Sequence, residues 1–75
     1  MQDTPAAESP LPPIADDLLD GADQVAAYIW GRGAHPRRLY RAMQTSRMPV
    51  FRLGGRLCAR RSSLHAWVRE LERQG

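Results

Sequence analysis

The chain has no lysine: all eleven of its basic residues are arginine. A guanidinium can hold a phosphate or a guanine edge by two parallel hydrogen bonds, which an ammonium cannot do. Cysteine is nearly absent as well. Cys58 stands alone, so no intrachain disulfide can form, and with only two histidines it is too little for a standard structural zinc site. Long apolar runs are missing too. The longest, VAAYIW at 25–30, is far shorter than a membrane span requires. The start of the sequence carries no basic stretch followed by an apolar one, so no signal peptide is expected and the protein is expected to be cytoplasmic. Finally, 75 residues leave little volume for a deep catalytic cavity beside a core, which argues against an enzyme.

Charge is divided along the chain. Residues 1–24 contain Asp3, Glu8, Asp16, Asp17, Asp20 and Asp23 and no base. All eleven arginines follow, opposed only by Glu70 and Glu72. Such a segment attracts polyanions. Residues 1–15, with Pro5, Pro10, Pro12 and Pro13 and no periodicity, read as a disordered acidic tail, and 16–75 as one domain. DDLLD at 16–20 reads as an entry turn.

A first helix is expected from Ala22 to about Trp30. Asp20 or Gly21 would cap it, Gln24 gives a weak capping-box pattern, and the glycines of GRG end it. A second helix starts at Pro36, with His35 as a poor formal cap. Leu39 and Met43 lie on its inner face, and Arg37, Arg38, Arg41 and Gln44 lie mostly away from it. In PVFRLGGRLCARR, apolar residues alternate with others on both sides of Gly54-Gly55, which predicts a hairpin. A three-residue loop, Gly54-Gly55-Arg56, would place Phe51, Leu53, Leu57 and Ala59 on one buried face. Arg52 and Cys58 would then share the other, with Arg56 at the tip. In the last helix Leu64, Trp67, Val68 and Leu71 form the clearest stripe, with Ser62 as the expected N-cap. His35, His65, Cys58 and Ser62 show no oriented triad, and no cofactor or metal is expected.

VAAYI, then RRLYRAM, RMPVFRLGGRLCARR and SSLHAWV, together resemble the excisionase-type and MerR-type winged helix-turn-helix family over about Leu19 to Leu71. The fold this implies is mainly α with a small β-hairpin: helix, turn, helix, hairpin wing, helix. The resemblance implies a second helix in the major groove, read through Arg37, Arg38, Tyr40, Arg41 and Gln44. It implies a wing contacting DNA through Arg52, Gly54, Gly55 and Arg56. Arg32, Arg60 and Arg61 are further candidate phosphate contacts. Two departures stand out: WGRGAH is longer than the family's usual turn by about three residues, and Ser46 stands where a helix-ending glycine is common.

The function expected from the resemblance is that of a small sequence-specific duplex-DNA-binding protein. The nearest role is an excisionase, which bends DNA to direct an integrase. Neighbouring roles are a phage or plasmid transcription regulator and the DNA-recognition part of a terminase small subunit. A different class is a protein-interaction module such as an antirepressor. The acidic N-terminal segment has three open readings: inert, folded over the basic face, or docking an integrase or another protein. With no long coiled coil, a monomer that associates cooperatively on DNA is expected, with no membrane partner.

Overall fold

A computed structural model describes residues 12–75. The expected tail falls largely on residues 1–11, which lie outside the described residues. Ile14–Asp17 form a single helical turn (α1), followed by strand β1 (Leu18–Asp20), helix α2 (Ala22–Trp30) and helix α3 (Pro36–Thr45). Strands β2 (Val50–Leu53) and β3 (Arg56–Arg60) and helix α4 (Arg61–Gln74) complete the chain. The protein is mainly helical, with a three-stranded antiparallel sheet in the order β1-β3-β2.

DDLLD is therefore more than an entry turn. Its second half adds a strand to the hairpin, pairing Leu18 with Arg60, Leu19 with Ala59 and Asp20 with Cys58. This puts Leu19 in the core and leaves Asp20 exposed.

The helix boundaries follow local chemistry. Gly21, the N-cap of α2, has φ +106° and donates its amide to the Leu57 carbonyl, so the Gln24 side chain reaches back one residue further than in a capping box and accepts from the Asp20 amide. Gly31, at φ +107°, ends α2. At α3, His35 caps better than its residue type suggested. Its Nδ1 accepts from the Arg37 amide at 3.0 Å, while Pro36 occupies the first turn, where no N–H is needed. Ser46 ends α3 in an extended conformation (φ −140°), so the helix closes without a left-handed residue and no glycine is required there.

The hairpin register corrects the expected one. Leu53 pairs with Arg56, Arg52 with Leu57, Phe51 with Cys58 and Val50 with Ala59, so the loop holds only Gly54 and Gly55. Both glycines have positive φ, 60° and 86°, which a type I′ turn demands at its two central positions. That turn matches the right-handed twist of the strands, and its geometry outweighs burial of Phe51 and Leu53, which stay exposed. Side chains alternate across the sheet, so Val50, Leu57 and Ala59 face the core, with Arg52 on the same side beyond it. Phe51, Leu53, Arg56 and Cys58 lie on the opposite side. Cys58 thus does not share a face with Arg52, and it is buried rather than exposed. Arg56 is a strand residue, not the loop tip.

The core is small: Leu19, Val25, Ala26, Leu39, Leu57, Ala59 and Leu64, with Met43, Trp30 and Trp67 packed against it. Only the first part of the α4 stripe enters it: Leu64 is buried and Trp67 packs against the core, whereas Val68 and Leu71 remain exposed.

The cap of α4 is also not the expected one. Arg60 occupies the N-cap position without a side-chain capping bond, and Ser62 lies inside the helix. The capping acceptor comes from α1. Asp17, 4% exposed, accepts from the Ser62 amide at 2.9 Å and from the Ser62 hydroxyl. It also accepts from Arg60 Nε at 3.1 Å. One carboxylate thereby ties α1, β3 and α4 together.

Candidate nucleic-acid interface

Burial of Leu39 turns the arginines of α3 outward. At about 100° per residue, Arg41 and Arg37 lie on the side away from Leu39 and Met43, and Gln44 follows Arg37. All of them are exposed. Arg38 lies on the flank toward α2, where its guanidinium sits 4.9 Å from the Trp30 ring centroid. That cation–π contact holds the arginine in place while leaving it exposed. Tyr40 lies on the opposite flank, toward the hairpin, and is 46% exposed.

Helix and hairpin meet in one open groove. Pro36 and Tyr40 of α3 line it together with Arg52, Gly55 and Arg56 of the hairpin, and Asp20 and Asp23 also border it. Gly54 and Gly55 form a bare tip: a Cβ built on either would meet no atom within 4 Å. Nothing would hinder the backbone there from approaching a flat or charged surface closely.

Three arginines expected at the interface have internal partners. Arg56 Nε donates to Asp20 Oδ1 at 2.7 Å, and its Nη2 donates to the Asp20 carbonyl at 3.3 Å. Gly21 makes room for this arrangement, since a Cβ there would lie 2.7 Å from Arg56 Nη2. The hydrogen bond from Arg56 holds the Asp20 carboxyl below its ordinary pKa, helped by the Cys58 thiol, which donates to the same oxygen at 3.5 Å. In turn, Asp20 raises the Arg56 pKa, so the guanidinium stays charged. Arg60 is bound to Asp17. Arg61 donates to the carbonyls of Asp16 and Leu18 at 2.8 and 3.2 Å and lies over the Tyr28 ring. Arg60 and Arg61 thus fasten β1 and α1 to the rest of the fold.

Among the described residues, Arg32, Arg37, Arg38, Arg41, Arg47 and Arg52 form no ion pair. Arg32 lies away from the groove, in a shallow hollow with Arg61 and Tyr28. Arg47 was missing from the expected contacts. It is exposed in the link between α3 and β2, and its only sequence signal is a base directly after the arginine-rich helix. Asp20 was also missed as a groove residue, because its partner lies 36 positions away.

His65 is exposed but engaged: its Nε2 and the Tyr28 hydroxyl share a hydrogen bond of 2.7 Å. Among the described residues no helix is long and apolar enough to cross a membrane. No family model, no curated protein and no solved structure matches the chain.

Proposed function

We propose that this protein binds duplex DNA as a small winged helix-turn-helix module, with α3 entering the major groove and the β2–β3 hairpin acting as the wing. It has no catalysis of its own. The observation that carries this reading is the groove in which Tyr40 of α3 faces Arg52 and Gly55 of the hairpin. It is flanked by Arg37 and Arg41, which have no ion-pair partner among the described residues. Exposed cations without carboxylate partners raise the local potential for a polyanion, and arginines on a helix can grip guanine O6 and N7.

A domain this small contacts only a short stretch of duplex, so specificity needs repeated sites or a partner protein. An excisionase role, in which several copies bend DNA for an integrase, meets that need.

The test is selection of a binding site from random duplexes, followed by anisotropy titrations over a range of salt. Arg37→Ala and Arg41→Ala are expected to cost about 1–3 kcal/mol each on the selected site and to relax its sequence preference. Arg52→Ala is expected to weaken binding to all duplexes alike and to lower the salt slope by about one. Absence of duplex binding at low salt would reject the reading.

A further inference from the structure

Among the described residues, the outer face of α4 is apolar and unpartnered, and it is electrically unlike the arginine-bearing face of α3. Leu64 is buried, whereas Val68 is 39% and Leu71 42% exposed. On a helix these three fall within about 60° of one another, so the stripe that begins in the core continues outward uncovered. Tyr28 and Ile29 of α2 border the hollow beside it, and Arg69 and Glu72 rim it.

The charges decide what could cover this face. Arg69 and Glu72 stand three apart on one flank of the stripe, yet neither forms an ion pair among the described residues. The pair that does form on this helix is Arg73 with Glu70, at 3.7 Å. Moreover, Glu70 and Glu72 are the only acids after Gln24. The end of α4, with two arginines and two glutamates, is therefore a locally neutral surface on an otherwise arginine-bearing chain. Two copies can approach along it without the net repulsion that the arginine-bearing face of α3 would meet.

We propose that α4 is a weak homodimer interface, in which two copies pack their Val68–Leu71 stripes antiparallel about a two-fold axis. In an antiparallel helix pair, each flank meets the same flank of its partner in reverse order. Arg69 of one copy then lies opposite Glu72 of the other, twice by symmetry. An isologous contact requires such self-complementarity, and one positive and one negative group a turn apart on the same flank provide it. A foreign helix would need its own matching charges; a second copy already has them. A single 14-residue helix buries less than a standard stable interface, so association is weak. The protein is monomeric at low micromolar concentration and dimerises at high local concentration. This inference does not depend on the DNA-binding reading.

Sedimentation equilibrium of the full chain from about 10 µM to about 1 mM, with no nucleic acid, tests it. The expected result is an apparent mass rising from monomer toward dimer. Leu71→Asp, at an exposed position, is expected to remain monomeric throughout with unchanged circular dichroism. Arg69→Glu and Glu72→Arg are each expected to weaken association at least several-fold, and the double exchange to restore it. A chain that stays monomeric at 1 mM, an association that Leu71→Asp leaves intact, or a double exchange that fails to restore it would each overturn the proposal.

Discussion

Asp17 holds Ser62, forty-five residues further along, through both the amide and the hydroxyl of that serine. The same carboxylate accepts from Arg60. The helical turn Ile14–Asp17 thereby caps the last helix. This capping depends on Asp17 being ionised, and the hydrogen bond from the Ser62 hydroxyl, foremost, holds its pKa below the ordinary value despite burial.

Stability should therefore depend on acid. Asp17 and Asp20 both have lowered pKa values in the folded state. Their contribution is present above the unfolded carboxylate pKa of about 3.9 and is lost as pH falls through the lower folded values. Thermal melts should show little change from these groups above about pH 5 and a falling midpoint below about pH 4. Asp17→Asn should be less stable than the native chain at pH 7, and the two should converge as pH falls.

Asp20 competes with any phosphate for Arg56. Replacing it with asparagine removes the charge that occupies the guanidinium 2.7 Å away. Under the DNA-binding reading, Asp20→Asn should bind duplex several-fold more tightly at low salt and steepen the salt slope by about one. Anisotropy titrations at several salt concentrations measure both. In the native background Arg56→Ala should cost less than Arg52→Ala, since Arg56 already has a partner.

The hairpin register makes opposite demands on neighbouring leucines. Leu53 is 53% exposed, and Leu53→Ser should change stability by no more than about 0.5 kcal/mol. Leu39, with no exposed surface, should cost about 2–5 kcal/mol as alanine, and Leu57→Ala should also be strongly destabilising. Urea unfolding of the three variants checks this. A three-residue loop would instead bury Leu53 and make its replacement costly.

The turn offers a further check. Gly54 has φ +60°, a region costing most residues about 1–2 kcal/mol. Gly54→Val should destabilise the hairpin, whereas Gly54→Asn should be nearly neutral, because Asn-Gly is a favoured type I′ pair. Unfolding midpoints separate the two outcomes.

Cys58 is 1% exposed on the central strand, between Asp20 and Phe51. A thiol reagent should label it no faster than the protein opens, and labelling in denaturant should be immediate.

Much of the architecture is set by local rules acting over a few residues. The extent of α2 follows from its apolar spacing between Gly21 and Gly31, and the start of α3 from Pro36. A glycine pair between alternating runs suffices to place the hairpin, and Leu39 and Met43 suffice to turn the α3 arginines outward. The division of acid from base is also plain in the chain itself. Three things were not decided by the sequence pattern alone. The register came from turn geometry competing with burial, because alternation alone fits two loop lengths. Which arginines stay unpaired came from β1 lying beside β3, which brings Asp17 to Arg60 and Asp20 to Arg56. How far the α4 stripe is buried came from the small core it packs on, which takes in Leu64 and Trp67 but not Val68 or Leu71. Helix periodicity reports which side of a helix is apolar, whereas the length of that side that is covered depends on what packs against it.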